Sequence, residues 1–539
     1  MRRLLLVAPF LISVSAWGQA TIDLMIGGKE VHLTLRPQVV AIRIVLPSAS
    51  ISIKPAIANA FSVFKASAES AGLLGIGKAS SPSGAMPSGT GIYKATNQVQ
   101  QLYAYGVGSN PVNIVLSPEL IVQFKPGVTD DVARQRLRTY GAQAAQATQV
   151  AGRYLVSMPQ AQSVVLATNN MPKYVPEVLY AEPNFYFFHP SGAEPFKAVA
   201  SPASSPSPSG TIGDPDLAYQ WTLATTPIDF GVAHAWSALG TTGTNVKVAI
   251  VDDGVDLNHE DLKDAISDYW DTTTNPPSDT TTQPPYTLQP EAQHGTACAG
   301  IVAARINGVG IEGVAPNVKL IAIKAAVYLN NNGTTQWYNN TAWLADAIDK
   351  ASALGADIIS NSWGIPNGVQ SQDISNAIDR ALNGTNARRI LLFAAGNLKQ
   401  DDPSQSLVMD FPASLSSTKA GVISVAASTP CDVLKSFTSC DNDPSWASKY
   451  QPQPTILAPG TSIATTVPGN GYAYFSGTSA STPFMAGAIA LLMSANPTLT
   501  RSQIIGRIQA DSRTITDGSN SFLRIDAYCL VSGPAACGG

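Results

Sequence analysis

The sequence predicts an α/β domain built on a parallel sheet over residues 214–539, with a small α+β unit before it over 118–189. Three observations carry this expectation. Past residue 214, apolar runs of strand length at 246–251, 318–325, 358–362, 390–395 and 422–427 alternate with helical stretches at 299–305, 343–353 and 374–382. Such alternation argues for a parallel sheet covered by helices on both faces. Residues 118–189 instead read strand, helix, strand, helix, strand. Between the two units the composition changes to Ser201-Pro202-Ala203-Ser204-Ser205-Pro206-Ser207-Pro208-Ser209-Gly210, so 190–213 is a flexible linker.

The elements follow in order. Met1-Arg2-Arg3 and the apolar run 4–14 form the basic start and core of a secretory signal peptide. Cleavage is expected after Ala20, with Ala16 as the alternative, giving a secreted or periplasmic product. Residues 21–117 hold alternating runs at 22–26 and 31–45 about a Gly27-Gly28 turn, a β-rich segment whose role is unassigned. In 118–189 the strands are expected at 119–124, 153–157 and 178–184, with helices at 130–140 and 161–169, a ferredoxin-like order. The whole chain of 539 residues asks for two or three domains, and its 45% hydrophobic content is globular. A net charge of −4 without any basic cluster argues against a nucleic-acid partner. No run past the signal peptide reads as a membrane span, and a monomer is expected. Five cysteines suit an oxidising compartment. Cys431 with Cys440, and Cys529 with Cys537, are candidate disulfides whose connectivity stays open; Cys298 is left as a buried thiol.

Reactive groups stand at element ends in the α/β domain. The run Val248-Ala249-Ile250-Val251 ends in Asp252-Asp253-Gly254. His294-Gly295-Thr296 opens a helix, and Leu391-Leu392-Phe393-Ala394-Ala395 ends in Gly396-Asn397. Ser479 follows Gly477-Thr478 at the head of an Ala- and Leu-rich run. Taken singly, each reads as a turn, a cap or a structural residue. Together they supply a nucleophile, a base, a carboxylate to orient the base, and an amide donor for an oxyanion. They occur in the order Asp, His, Ser.

These segments resemble the subtilisin-like serine proteases, the subtilases. The resemblance also rests on Asp256, His259-Glu260-Asp261-Leu262, Gly313-Val314-Ala315-Pro316, Ser360-Asn361-Ser362-Trp363-Gly364 and Ala458-Pro459-Gly460, and it covers about 214–528. It implies a subtilisin-like three-layer domain and a secreted serine endopeptidase, made as a self-processing zymogen that needs no cofactor for catalysis. By it Asp252, His294 and Ser479 are the triad and Asn397 the oxyanion donor. Ser362, Trp363 and Gly364 form one wall of the substrate cleft, and 118–189 is an inhibitory propeptide, with an accessory α+β domain as the alternative. Protein or peptide substrates and the propeptide itself are the implied partners.

Finer implications keep an alternative beside them. Asp261 and Asn307 match a family calcium site, against a plain turn. Asp410 matches the base of the pocket for the residue before the scissile bond. A carboxylate there favours Lys or Arg and makes Lys197 a natural self-processing point; an ordinary solvated Asp is the alternative. The Asp252-Asp253 doublet resembles the kexin-like branch and Cys298 the proteinase K branch, so the subfamily stays open. A thiol so near His294 predicts sensitivity to mercurials. The competing function is a catalytically silent peptide-binding scaffold. An esterase is disfavoured by the missing Gly-x-Ser-x-Gly elbow, and a metalloprotease by the missing His-Glu-x-x-His.

Overall fold

The computed structural model describes residues 110–533 apart from 160, 190–196, 199–213, 215, 224–229, 241, 274–285, 332–333, 367–368, 401–405 and 519, together with the backbone of 21–26, 29–35, 42–43, 100–101 and 103–107. The expected signal peptide, most of the linker and Cys537 lie outside the described residues.

Strands β1 (Thr21–Ile26) and β2 (Lys29–Leu35) pair antiparallel across Gly27-Gly28. Two short strands, β3 (Ile42–Arg43) and β4 (Gln100–Gln101), pair with each other. Strand β5 (Tyr103–Val107) joins β2 to the fifteen-residue β6 (Asn110–Phe124), so the 117/118 boundary falls inside one strand. Then come α1 (Asp130–Thr139), β7 (Ala144–Ala147), β8 (Arg153–Ser157), α2 (Ala161–Tyr174) and β9 (Val178–His189). The strands β9, β6, β8 and β7 lie side by side in that order. Alternation sorts β6: Leu120, Val122 and Phe124 meet Ala133 and Leu137 of α1 and Val164 and Met171 of α2. Ile121, on the opposite face, packs with Tyr180 against Ala342 of the α/β unit.

That unit begins with β10 (Lys197–Ala198), α3 (Val232–Leu239), β11 (Lys247–Asp252), β12 (Ile266–Asp271), α4 (His294–Ala303) and β13 (Lys319–Lys324). A hairpin of β14 (Val327–Asn331) and β15 (Thr334–Asn340) leads into α5 (Thr341–Ala353), β16 (Ile358–Asn361), α6 (Gln372–Leu382) and β17 (Ile390–Ala394). Strands β18 (Asn397–Lys399), β19 (Val422–Ser428), β20 (Trp446–Ser448), β21 (Ile456–Pro459), β22 (Ile463–Val467) and β23 (Gly471–Phe475) precede α7 (Thr478–Ala495). The described chain ends with α8 (Arg501–Ala510), β24 (Arg513–Asp517), β25 (Asn520–Arg524) and α9 (Ala527–Ser532).

The main sheet runs β12-β13-β11-β16-β17-β19-β21-β25-β24, parallel except for the last pair. On β11, Val248 and Ile250 face one core with α4 and α7, while Ala249 and Val251 face the other with α5 and α6. This is the three-layer arrangement expected of buried parallel strands. Helix α7 is long and apolar enough to cross a membrane, yet 89% of it is buried inside the protein. Cys431 and Cys440 form a disulfide with a Cα–Cα distance of 6.3 Å. Cys529 is also disulfide-bonded, and Cys298 is a buried free thiol.

The two units share a sheet. Strand β15 pairs antiparallel with the end of β9, from Trp337 opposite His189 to Asn340 opposite Tyr186. Asn184 accepts from Thr341 Oγ1 and Ala342 N at 3.1 Å each, at the start of α5. Glu182 accepts from Ser371 Oγ at 2.6 Å, Gln372 N at 2.8 Å and Asp373 N at 3.1 Å, at the start of α6. A carboxylate there meets open N–H groups and the positive end of the helix dipole.

Candidate active site

Ligand chemistry in such a sheet belongs at the carboxyl ends of the strands. Strand β11 delivers Asp252 there, 1% exposed. Its Oδ1 accepts from Asp253 N at 2.8 Å and lies 2.8 Å from His294 Nδ1. His294 is the first residue of α4. Asp253 holds that helix start by accepting from Gly295 N at 2.7 Å and His294 N at 3.2 Å. Gly295 is needed for the approach: a Cβ there would strike Gly254 O and sit 2.9 Å from Asp252 Cβ. Burial and the neighbouring Asp252 push Asp253 up to about 7. At His294 burial opposes the charge, but the Asp252 carboxylate and the Cys298 sulfur raise its pKa well above the usual value. The imidazole packs against Trp337 of β15 at 4.8 Å and Phe475 of β23 at 5.2 Å.

Ser479 lies in the first turn of α7, behind Gly477 at φ +140°, a conformation glycine adopts readily. Four residues on, Pro483 has no N–H to give, so the Ser479 carbonyl is released from the helix ladder. Ser362 Oγ donates to it at 2.9 Å and Cys298 Sγ at 3.6 Å. Ser479 Oγ in turn donates to Ser362 O at 3.2 Å. The Cys298 sulfur is also 3.9 Å from His294 Nδ1, so it lies between the histidine and the serine backbone. Burial pushes this thiol up to about 12.

Asn397 opens β18, just past the end of β17. Its Oδ1 accepts from Thr478 N at 3.1 Å and Thr478 Oγ1 at 3.0 Å. These bonds fix the orientation of the amide beside the Ser479 helix start. Ser362, Trp363 and Gly364 follow β16 on the other side. Trp363 is 2% exposed, with its ring turned into the core edge-on to Phe393 at 5.6 Å.

Comparison with known proteins identifies the family to which these elements belong. The subtilase family model matches residues 243–522, just over half of the chain. The chain belongs to the subtilase family. It is 33% identical over 279 residues to subtilisin of Bacillus pumilus, covering 52% of this chain and 87% of that protein. It is 32% identical over 380 residues to the thermophilic serine proteinase of Bacillus sp. (strain AK1), covering 70% and 78%. Against subtilisin E of Bacillus subtilis (strain 168), identity is 33% over 291 residues, and the match spans 54% of this chain and 65% of the relative.

Asp410 and Asp261 are both held by partners within the α/β unit. Asp410 is held in an ion pair rather than standing as an isolated solvated carboxylate. Lys449 Nζ donates to its Oδ1 at 2.6 Å, with the two side chains 2% and 12% exposed. Burial raises the Asp410 pKa, with Lys449 opposing it. Lys197 and Ala198 form β10, which pairs antiparallel with β23, Lys197 opposite Tyr474.

Asp261 is fully buried, and accepts from Arg305 N at 3.0 Å, Ile311 N at 3.1 Å and Tyr472 Oη at 3.4 Å. Asn307 turns its Oδ1 to Val309 N at 3.1 Å. Asp214, missed in the sequence, completes the cluster by accepting from Gly308 N at 2.6 Å and Asn307 N at 3.2 Å. Burial pushes Asp261 up to about 7, with the charge of Asp214 adding to it, and burial raises Asp214 too. Two buried carboxylates facing one loop are a charge excess that a hard cation would relieve, so this donor set fits calcium.

Proposed function

We propose that this subtilase is an exported serine endopeptidase made as a zymogen. The observation that carries the reading is the 2.8 Å contact between His294 Nδ1 and Asp252 Oδ1 beside the Ser479 helix start. Ser479 Oγ attacks the peptide carbonyl and passes its proton to His294 Nε2. Asp252 holds the other ring nitrogen and offsets the charge of the imidazolium. The Asn397 amide and the N–H groups at the start of α7 stabilise the tetrahedral oxyanion. His294 returns the proton to the leaving amine. An acyl-enzyme remains, and a water activated by the same histidine hydrolyses it. The backbone at 362–364 pairs with the substrate as an added strand.

In the same reading the ferredoxin-like unit 118–189 is the intramolecular inhibitor, docked on α5 and α6 through Arg153, which donates to Asp346 and Asp373, and through Glu182 and Asn184. Residues 1–20 direct export, and maturation cuts the chain within 190–213. Asp214, Asp261, Asn307 and the loop carbonyls hold a structural calcium, which takes no part in the chemistry. The test is hydrolysis of an unfolded protein substrate by the wild type and by Ser479→Ala. Cleavage by the first alone is expected. No cleavage by either, with both folded, would leave the peptide-binding scaffold as the reading.

A further inference from the structure

We propose that Lys449 sets the specificity of this site: it masks the Asp410 carboxylate at the floor of the side-chain pocket beside Ser479, so cleavage follows uncharged residues and not Lys or Arg. The proposal rests on the serine-endopeptidase reading.

The pocket is located by its walls. Ser479 Oγ touches Ser362 O, and Asn397 holds the backbone of Thr478, so a carbonyl attacked by Ser479 lies between the ends of β16 and β17. The side chain on its acyl side then enters the gap between 362–364 and 395–397. Residue 410 spans the bottom of that gap. Asp410 N donates to Ala395 O at 2.9 Å on one side. On the other, Phe411 and Ile365 exchange backbone hydrogen bonds of 2.7 and 3.0 Å. The carboxyl group lies against both walls: a Cβ on Gly364 would be 2.6 Å from Asp410 Cβ, and one on Gly396 would be 2.7 Å from Asp410 Cγ. Both walls are bare backbone there, and the floor between them is an ion pair.

Lys449 is built into the same place. Its N–H donates to Gly396 O at 2.9 Å, and its ammonium reaches Asp410 Oδ1 at 2.6 Å. An incoming ammonium or guanidinium would share that carboxylate with a cation already seated on it, in surroundings that screen little. Discrimination then comes from repulsion as much as from attraction. An uncharged side chain meets no such opposition. Nothing local in the sequence ties the two residues, which are 39 positions apart.

The test uses the processed enzyme and peptides that differ only in the residue before the scissile bond: Leu, Phe, Gln, Lys and Arg. For the wild type, kcat/KM is expected to be about tenfold or more higher for the uncharged three than for Lys and Arg. Lys449→Met uncovers the carboxylate and should raise the Lys and Arg values relative to Leu by about tenfold or more. Lys449→Gln, whose amide can still donate to Oδ1, guards against loss of the fold and should move the ratio the same way. A wild type that prefers Lys or Arg overturns the proposal, as does an unchanged ratio in both variants. Failure of the underlying reading looks different: no peptide is cleaved, and a fluorophosphonate leaves Ser479 unlabelled.

Discussion

One buried arginine is a main tie between the 118–189 unit and the α/β unit. Arg153 is 1% exposed and donates through Nε and Nη2 to Asp373 at 2.7 and 2.5 Å, and through Nη1 to Asp346 at 2.5 Å. Asp373 is fully buried and also accepts from Tyr180 Oη at 2.7 Å. Arg153→Met keeps much of the volume and removes the cation. Asp373 is then left with a hydroxyl and the α6 dipole for company. Removing one member of a buried pair costs about 3–5 kcal/mol. At 1.4 kcal/mol per decade, that weakens docking by roughly two to three and a half orders of magnitude. On the proposed zymogen reading, the assay is recovery of activity on dilution of protein cut in the linker, where release of the 118–189 unit would unmask the active site. The variant should recover at concentrations higher by that factor, and adding Asp373→Asn should restore part of the affinity. A shift smaller than about threefold would refute the reasoning.

Other outcomes follow from single contacts. Burial pushes Glu182 up to about 7 in the docked state, whereas a free carboxyl of this kind titrates near 4.3. The docked state therefore takes up a proton, so docking is strongest at acid pH and weakens as pH rises through about 7. Glu182→Gln should flatten that dependence in the same dilution assay. Asn397→Ala should lower kcat by about 10²–10³ with little change in KM, a magnitude established on a subtilisin, a relative of this chain. A chelator should lower the melting temperature by several degrees, since a ligand at about 100 times its Kd contributes about 2.7 kcal/mol; Asp214→Asn should abolish the response. Asp252, His294 and Cys298 present ligand atoms within 4.8 Å of one another, so a mercurial should inhibit. Iodoacetamide should leave the native enzyme active, because the buried Cys298 thiol is pushed up to about 12.

The parallel sheet is legible because its strands are buried on both faces: β16, β17 and β19 are buried at every position and read as continuous apolar runs. Strand β12 does not read so, since only its last two residues are buried. The β14–β15 hairpin is rich in Asn and Thr, and β15 continues the sheet of a distant segment through β9. Helix α5 begins two residues earlier than its apolar run suggests, because Asn340 accepts from Trp343 N and caps it. Among the site residues, Asp252, His294, Asn397 and Ser479 stand in short motifs at element ends, which local reading finds. Lys449 and Asp214 stand in none. Their places depend on contacts with Asp410 and with the 307–308 loop, which only the folded chain creates.

The most direct test of the central claim, that Ser479 is the nucleophile of a self-processing protease, is the intact mass and N-terminal sequence of the wild type beside Ser479→Ala. The account predicts a wild type shortened by a cut within 190–213 and a variant that stays uncut there. Identical processing of the two proteins, or a wild type that remains whole after activation conditions, would contradict it.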